Sequence, residues 1–463
     1  MTAEDEEGLF LALEQPKRIR CIRVVLSPQD LQKFVMAIDD ELPILEYLVM
    51  GHTTTGMEHD PSLVFPEAIQ APHLRHLVLI GVDPPVGSRF LTAAVGLVTL
   101  CLSMHDSSIY LNPNHLLQCI SSLPQLEMLV ITFFNRDVET QLSHTPTIAH
   151  ATLPNLRRLS LEGVSAYIEV LIRHIATPRL EKLHIIFFDQ HSFSAPCLVR
   201  IMNIIEIKKL RFDVAQFEFS IERVRVETYP HKENRRCSFN LGVDSLLLDG
   251  HISSMAQIIN ALGQVFSEIE YLILEHEEDS RSSEGDLEIE VDSTGWQRLL
   301  RPFSNVKYLR VDHGLVQEFS RYLRLNDGEL PPKLLPELQV LTYSGRSTAG
   351  EAFTSFLDAR QNAGRPVSLV RLGSPSPPAP APSISRQVYA VRRFLESIQE
   401  SKEREEEWLS TEDTAKMVCI FQNDAAAAEF YITIADHSKD ETIMRLWVQS
   451  QLESTGIQRG SNL

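Results

Sequence analysis

The stretch "LPNLRRLSLEG" at residues 153–163 decides the fold, because the chain repeats its pattern. Close copies are "LPQLEMLVI" (123–131), "TPRLEKLHI" (177–185) and "LPELQVLTY" (335–343). All fit the template L-x-x-L-x-L, in which Ile, Val, Met, Phe or Tyr can replace Leu. A series of such units of about 20–29 residues is typical of leucine-rich repeats. Thirteen copies, 23 to 37 residues apart, begin at Ile19, Leu45, Leu74, Leu97, Leu126, Leu156, Leu180, Ile207, Val243, Ile269, Val306, Leu338 and Val367.

The segments between the copies carry helix signals. In 112–123, Asn112 or Asn114 is a candidate N-cap before an apolar stripe, and the segment 349–364 ends at Gly364, a typical helix C-cap. Segments 165–176, 252–266 and 314–325 have the same apolar spacing. Each unit therefore reads as strand, turn and helix. We predict an α/β leucine-rich-repeat solenoid, curved, with parallel strands on its concave face and helices on its convex face.

The predicted solenoid covers residues 1–372 and has insertions at about 213–240 and 275–295. The first insertion alternates apolar and polar residues over 214–230, which predicts an extra hairpin or extended strand. The second is acidic and reads as a solvated loop. A Pro/Ser/Ala-rich linker follows at 373–387, and residues 388–463 are expected to form a helical, partly disordered tail.

Composition excludes several classes of partner. The formal net charge is −19, which argues against general binding to nucleic acid or to an anionic membrane. We find no apolar run of the ~18 residues that a membrane span needs. The N-terminus, "MTAEDEEGLF", is acidic, unlike a secretory signal, and the six cysteines form no CxxC pair. The protein is expected in the cytoplasm or the nucleus.

We find no sequence motif that is typical of an enzyme active site. The chain has no GxSxG, GxGxxG, P-loop or HExxH sequence, and its 16 histidines are scattered. Cys101 and His105 lie four apart but at a strand end, where a structural role is favoured. We therefore predict a protein that is not an enzyme and has no catalytic residues, cofactor or metal. The alternative is an enzyme domain within 388–463, which is short and has no motif.

Strand alternation sends the template leucines inward and the residues between them to the opposite face. The position before the second leucine carries three consecutive bases and then, one unit later, two tyrosines. The next outward position adds a histidine and two arginines, and the one after that has four consecutive acids: Asp213, Asp249, Glu275 and Asp312. The predicted partner-binding residues are Arg158, Lys182, His184, Lys209, Arg211, Tyr271, Tyr308 and Arg310.

Two interpretations of these columns remain open. They can be solvated faces with local ion pairs, in which the acids follow the ends of strands. They can also form a groove with a basic centre, a tyrosine pair and an acidic edge. Such a groove suits a protein or peptide partner, because Tyr and Arg dominate interface hot spots.

Several stretches in the second half resemble fungal F-box/leucine-rich-repeat proteins, a large family in mushroom-forming fungi. The similarity spans roughly residues 1–372 and covers the repeat region only. The stretches are "LRFDVAQFEFSIERVRVETYP" (210–230), "HEEDSRSSE" (276–284), "FSNVKYLRVDHGLVQEFSRYLRLNDGE" (303–329), "LLPELQVLTYSG" (334–345) and "AFTSFLDARQNAGRPVSLVRL" (352–372).

The resemblance implies the substrate-recognition part of an F-box-type ubiquitin-ligase receptor, in which the repeats hold the target and the F-box holds a Skp1-type adaptor. The chain departs from that pattern, because we find no F-box in it. A Skp1-type adaptor is therefore expected only if an F-box lies upstream, and the partner of the repeats is an unknown protein. The alternative is a free-standing leucine-rich-repeat scaffold or inhibitor with no link to ubiquitin.

Overall fold

The fold is described from a computed structural model of the chain, which divides into two compact units. The first comprises residues 1–232 and 236–374, and the second comprises 233–235 and 375–463. The residues that the structure describes are 11–38, 41–52, 63–64, 69–83, 89–104, 112–133, 149–188, 196–199, 212–220, 223–229, 239–244, 248–276, 293–323, 335–344, 352–372, 394–395, 397–398, 409–410, 413–418, 431 and 448.

The first unit is a mixed α/β structure built on a large, mostly parallel sheet. Fourteen strands pair in the order β1-β2-β4-β6-β7-β9-β11-β14-β13-β12-β15-β16-β17-β18, and the sheet does not close on itself. Strands β3 with β5 and β8 with β10 form two further two-stranded sheets. The strands are β1 (Cys21–Leu26), β2 (Tyr47–His52), β3 (Leu63–Val64), β4 (His76–Ile80), β5 (Val82–Asp83), β6 (Thr99–Met104), β7 (Met128–Phe133), β8 (Ala151–Thr152), β9 (Arg158–Gly163), β10 (Ile175–Ala176), β11 (Lys182–Phe188), β12 (Val214–Phe219), β13 (Arg223–Tyr229), β14 (Phe239–Asp244), β15 (Tyr271–His276), β16 (Tyr308–Val311), β17 (Val340–Ser344) and β18 (Ser368–Leu372).

The repeated phrase builds a tight turn before its strand. In residues 153–156 the Leu156 N–H donates to the Leu153 carbonyl at 3.3 Å, with proline at the second position of the turn. The same bond closes the copies at 123–126, 177–180 and 335–338. Arg157, which follows the turn, donates its N–H to the carbonyl of Glu127 on the neighbouring repeat at 2.8 Å. The phrase thus both reverses the chain and sets the register of the next strand.

The template leucines form continuous ladders through the core. Leu48, Leu77, Leu100, Leu129, Leu159 and Leu183 are successive partners across six strands, and each is at most 4% exposed. The helices add their apolar stripes to the same core cluster. No single unit could bury such a stripe alone, so neighbouring units stabilise one another.

The helices begin and end largely where the sequence predicts. Asn112 is the N-cap of the helix after β6 and accepts a bond from the Asn114 N–H at 2.9 Å. Gly364 has a φ of 72°, which favours glycine after a helix end, and donates its N–H to Gln361 at 2.9 Å. The helices of the first unit include α1 (Pro28–Ala37), α2 (Arg89–Ala93), α3 (Pro113–Ser121), α4 (Ser165–His174), α5 (Leu248–Ala261), α6 (Gly263–Phe266), α7 (Ser293–Leu300), α8 (His313–Leu323) and α9 (Thr354–Asn362), with a short 3₁₀ turn at Pro16–Arg18.

The predicted hairpin over 214–230 is present, but it lies inside the main sheet. β12 pairs with β13 and β13 with β14, both antiparallel, so β13 alone runs against the other thirteen strands. β14 then pairs with β11, and β12 pairs with β15. After β11 the chain therefore skips two strand positions and forms β12. The hairpin then fills the skipped positions with β13 and β14. Helix α5, which contacts β13 and β14, connects β14 to β15 on the far side of the hairpin.

Two template copies were placed wrongly. The copy that begins at Val243 predicts Leu246 and Leu248 in a strand, but Leu248 is the first residue of α5. The strand in this region is β14, in which Phe239, Leu241 and Val243 are buried. The template fails because the hairpin shifts the repeat away from its usual spacing.

The last copy is off by one residue. The copy that begins at Val367 predicts that Val370 and Leu372 face the core, but Leu369 pairs with the core residue Leu341. Val370 and Leu372 consequently point outward and are 45% and 37% exposed. A slip of one position sends every side chain of a strand to the other face, and the apolar composition of β18 hides that slip from a pattern match. The copy at Ile207 and most of the predicted insertion at 275–295 lie outside the described residues.

The second unit is described at few positions, and several of these are buried. Phe394, Met417, Tyr431 and Val448 are each at most 1% exposed, and the Phe394 and Tyr431 rings meet edge to face at 5.9 Å. In the helical turn at 413–418, the Asp413 N–H donates to the Ser410 hydroxyl at 3.1 Å. Over the residues that the structure describes, no helix has the length and apolar character needed to cross a membrane.

Candidate protein-interaction face

The sheet has one face on the core and a second face whose side chains lie outside the core cluster. We call the second the open face. Strand pairing arranges its side chains in rows, each crossing the strands. The first row contains Tyr47, His76, Thr99, Met128, Arg158, Lys182, Tyr229, Val214, Tyr271, Tyr308 and Val340. The second contains Val49, Val78, Cys101, Val130, Ser160, His184, Asn240, Glu227, Gln216, Ile273, Arg310 and Thr342. The third contains Gly51, Ile80, Ser103, Thr132, Glu162, Ile186, Gly242, Arg225, Glu218 and Glu275.

In the three rows, the open face of β2, β4, β6 and β7, here the apolar half, carries no Asp, Glu, Lys or Arg, and half of its residues are buried. Val78, Cys101, Met128 and Val130 are 3–7% exposed although they lie outside the core cluster. Strands β6 and β7 are therefore buried on both faces, as their burial patterns show. The open-face side chains of β6 and β7 are thus packed against their neighbours in the same way as core side chains.

A ring pair in the first row occupies one end of the apolar half. The rings of Tyr47 and His76 stack at 4.5 Å with 10° between their planes. His76 Nδ1 lies 3.1 Å from the hydroxyl of Thr99. Burial, followed by the charge of Arg75, lowers the pKa of His76 to about 4. His76 is thus an uncharged packing residue near neutral pH.

The open face of β9 and of β11 through β16 is here called the charged half. Six of the predicted binding residues lie on it: Arg158, Lys182, Tyr271 and Tyr308 in the first row, and His184 and Arg310 in the second. All six are half-buried. Lys209 and Arg211, the other two, lie outside the described residues.

Two bases and two tyrosines form separate groups in the first row. Arg158 and Lys182 are direct partners on adjacent parallel strands, which lie ~4.8 Å apart. The rings of Tyr271 and Tyr308 stack at 4.4 Å with 8° between their planes. Partial burial, and then the neighbouring Tyr308 and Glu270, raise the pKa of Tyr271. All four residues are half-buried, so part of each is accessible to a partner.

The hairpin adds a network of ion pairs that template matching did not predict. Arg223 binds Asp244, with its Nη2 2.7 Å from Asp244 Oδ2, and its Nη2 lies 3.3 Å from Glu162 Oε1. These side chains are between 11% and 22% exposed, so partial burial strengthens the pairs.

A second part of the network surrounds Arg225. This guanidinium binds Glu218 and lies 3.3 Å from Glu227. Glu227 also accepts hydrogen bonds from the Tyr229 hydroxyl and, at 2.9 Å, from Asn240 Nδ2. Burial alone would lower the pKa of Arg225, but the carboxylates of Glu227 and Glu218 outweigh it and raise that pKa.

A third group of polar contacts surrounds Glu275. Glu275 accepts from Gln216 Nε2 at 2.7 Å and lies 3.6 Å from Arg310 Nη2. Most links join neighbouring strands. The contacts of Glu227 with Arg225 and Tyr229 lie within β13, and the Arg223–Glu162 pair spans β14 and β11.

The predicted run of four acids in the third row is wrong. Asp249 lies in α5, and Asp213 precedes β12 instead of following a strand. Between Ile186 and Glu275 the row holds Gly242, Arg225 and Glu218. The hairpin displaces the repeat there, so Gly242 and the base Arg225 lie where the template predicts acids.

Sequence reasoning missed Arg223, Arg225 and Tyr229 as open-face residues. The signal for them was present, because the alternation over 214–230 that predicts the hairpin also places these three on one face. Their strand neighbours could not be assigned without knowing where the hairpin inserts. In the part of the chain that the structure describes, no three His, Cys, Asp or Glu side chains are grouped so as to hold a metal ion.

Comparisons with known proteins do not identify a family for this chain. No protein-family model matches the sequence, and no curated protein matches it. One similar solved structure is the crystal structure of the yeast Rad7–Elc1 complex, at 13% identity and a TM-score of 0.16. The match covers 74% of this chain and 89% of that chain. The functional assignment below therefore rests on the residues of this chain.

Proposed function

We propose that the first unit is a leucine-rich-repeat solenoid with the open face on its concave side, and that it acts as a non-enzymatic protein-interaction module. Support comes from the repeated phrase, which closes the same turn in several units, and from the chemistry of the charged half. Solenoids use such extended sheet faces to bind partners. A face in which half-buried Arg and Tyr side chains lie next to organised ion pairs has the composition of an interface hot spot.

The more specific proposal follows from the resemblance to fungal F-box/leucine-rich-repeat proteins. The module is then the substrate-recognition part of a ubiquitin-ligase receptor in the cytoplasm or nucleus. The charged half holds the substrate, and an F-box supplied outside these residues holds a Skp1-type adaptor. The alternative is a scaffold or inhibitor of the same fold with no link to ubiquitin.

The single observation that carries the binding proposal is the placement of Arg158 and Lys182 side by side, both half-buried, on the same face as the stacked Tyr271 and Tyr308 rings. Arg and Tyr are the residue types that dominate interface hot spots.

The test is to purify the tagged chain from its own cells, identify its partners by mass spectrometry, and repeat this with Arg158→Glu plus Lys182→Glu. We expect the variant to lose its main partner and keep its thermal unfolding midpoint. The matched control is Arg173→Glu plus Arg179→Glu, which makes the same charge change at two exposed residues away from the open face. Equal recovery of the partner by all three proteins would contradict the binding proposal.

The same purification separates the two finer proposals. Recovery of a Skp1-type adaptor together with the partner supports the receptor. Recovery of the partner without any adaptor or cullin, from cells in which the native transcript is intact, supports the scaffold.

A further inference from the structure

The two ends of the main sheet are covered differently. The first strand, β1, has one strand neighbour among the described residues, yet its core side chains Ile22, Val24 and Leu26 are only 6–8% exposed. The last strand, β18, also has one such neighbour, but four of its five residues are exposed and the fifth, Leu369, is half-buried. The sheet is therefore packed at its first edge and open at its last edge.

The core ladder is incompletely buried where it ends at β18. Leu309 and Leu341, which precede Leu369 in the ladder, are 1% and 0% exposed. Leu369 has the same place in its strand and packs against the core cluster, but in the part of the chain that the structure describes a strand lies on one side of it only. A stack of repeats normally ends in a unit with a polar outer surface. A further strand beside β18 would complete the burial of Leu369.

The backbone of β18 is oriented to pair with such a strand. Ser368 donates its N–H to the carbonyl of Gln339, on the β17 side, at 2.8 Å. Successive residues of a strand point their backbone polar groups in opposite directions, so the N–H and C=O of Leu369 point away from β17. The described residues place no further strand on that side. A strand edge of this kind is a template for a second extended chain.

The side chains of β18 also favour a partner strand. Val370 and Leu372 lie on the open face and are 45% and 37% exposed. Strand edges that avoid pairing often carry proline, lysine or a bulge. β18 has no proline or lysine, and it pairs with β17 in unbroken register. Its one charged residue, Arg371, lies opposite Tyr343 on the core side, where it disfavours Lys or Arg in an adjacent strand.

We infer that β18 binds an extended peptide segment of another protein, which adds to the sheet as a further strand. Backbone hydrogen bonds along the edge at Leu369 hold the segment, and its alternate side chains contact Val370 and Leu372 on the open face. The side chains on its other face cover Leu369. This surface lies at the end of the sheet, outside the charged half, so it is tested independently of the proposed function.

The size of the edge favours a peptide over a second copy of this chain. β18 has five residues, so its edge is about 17 Å long and, at a sheet thickness of ~10 Å, offers roughly 170 Å² to a partner. A stable protein–protein interface buries about 800 Å² on each partner. A second copy would therefore need contacts beyond the strand, and the preceding helix α9 offers it only polar exposed residues. These are Thr354, Ser355, Asp358, Gln361 and Asn362.

The sequence that follows β18 is a poor partner strand for it. Residues 375–382 contain five prolines. Proline has no backbone N–H and cannot donate to a strand ladder. A hairpin that returns directly along β18 is thus disfavoured, which favours a segment of another protein as the added strand.

The test is selection of phage-displayed random peptides of about seven residues, long enough to pair with all of β18, on the full chain. We expect enriched peptides with Val, Ile, Phe or Tyr at alternate positions and no proline between them. Synthetic copies that carry one methylated backbone nitrogen then identify the pairing. Methylation of an amide that faces β18 should weaken binding by about tenfold or more, because it leaves a carbonyl of the edge unsatisfied. Methylation of the alternate amides, which face away, should have little effect.

Val370→Lys is the corresponding change in the protein. A lysine on an edge strand opposes pairing, so this variant should bind the selected peptides at least severalfold more weakly. Val95→Lys is the matched control, since it makes the same change at a valine that is 56% exposed and lies outside β18. Equal binding by all three proteins would overturn the inference, as would binding that does not depend on which amides are methylated.

Two further results would assign the edge to a different occupant and also overturn the inference. If sedimentation shows a dimer for the full chain and a monomer for Val370→Lys, a second copy occupies the edge. If no peptide is enriched and hydrogen exchange shows a strongly protected Leu369 amide in the monomeric chain, a segment of this chain occupies it. Neither result changes what is expected of the charged half.

Discussion

The apolar half and the charged half belong to one sheet and share the same core ladders, yet their open faces differ. On β6 and β7 the open-face residues are mostly apolar and buried, whereas on β9 and β13 they alternate with the core as half-buried polar residues. Val130 and Ser160 show the change most clearly, since they are direct partners on adjacent strands. The repeat template therefore fixes the core side of a strand and leaves the open side free to vary.

The difference between the two open faces indicates which residues stabilise the fold and which can bind a partner. Residues of the apolar half are packed, so replacing them should change stability. Residues of the charged half form ion pairs or reach solvent, so replacing those outside the network should change binding. Each prediction below tests that division, from the largest expected effect to the smallest.

The largest effect is expected for Val130→Asp, which places a carboxylate at a site that is 7% exposed. A buried charge without a partner destabilises by about 3 kcal/mol or more. Ser160→Asp is the matched control, because it makes the same new carboxylate one strand away and is expected to cost less than about 0.5 kcal/mol. Urea denaturation of both variants measures the difference. Similar losses for the two would mean that the halves do not differ in packing.

His76 predicts a pH dependence in the apolar half. Its pKa is about 4 in the folded chain and 6.5 when exposed, so the unfolded chain binds the extra proton first as the pH falls. Stability should drop by roughly 2–3 kcal/mol between pH 6.5 and 4 from this group. His76→Gln, which keeps a polar group near Thr99, should remove that part of the slope in unfolding measurements. An unchanged slope would show that His76 is accessible to protons in the fold.

Within the charged half, the hairpin network should contribute more than surface pairs. Asp244→Ala removes the main partner of the half-buried Arg223 and is expected to cost about 1–2 kcal/mol. Glu181→Ala removes a pair with Arg157 in which both side chains are more than half exposed, and should cost at most about 0.5 kcal/mol. Thermal unfolding of the two variants compares them directly. A larger loss for Glu181→Ala would contradict the picture of a partly buried network.

The smallest effect on stability is expected where the effect on binding is largest. Arg158→Glu plus Lys182→Glu replaces one like-charged pair with another on side chains that are only half-buried, so the free energy of unfolding should change by less than about 0.5 kcal/mol. Calorimetry at low and high salt measures it. A loss of several kcal/mol would make these bases structural residues.

The sequence predicted the parts of the fold that repeat, and it failed where the repeat is interrupted. Leu159 and Leu183 could be placed because the same turn precedes each, and Asn112 and Gly364 because caps have local signals. The insertion point of β12 and β13 between β14 and β15 depends on pairing between distant segments, which no local pattern encodes. That one event explains the misplaced strand at Val243.

The candidate site shows the same division. Arg158, Lys182, Tyr271 and Tyr308 could be named from their positions in single repeats. Their arrangement as one row could not, since Tyr229 and Val214 fill the interval between them. The one-residue slip at β18 has a related cause. Val367, Val370 and Leu372 match all three template positions, whereas the observed register places Arg371 at the last of them, opposite Tyr343.

Site-specific photo-crosslinking tests the central claim most directly. A photoreactive phenylalanine analogue would replace Tyr308 in the charged half and, separately, Ser103 in the apolar half, both half-buried on the open face. Our account predicts that the natural partner, identified by mass spectrometry, crosslinks at Tyr308 and not at Ser103. Crosslinking at Ser103 alone would contradict it and would move the binding surface to the apolar half.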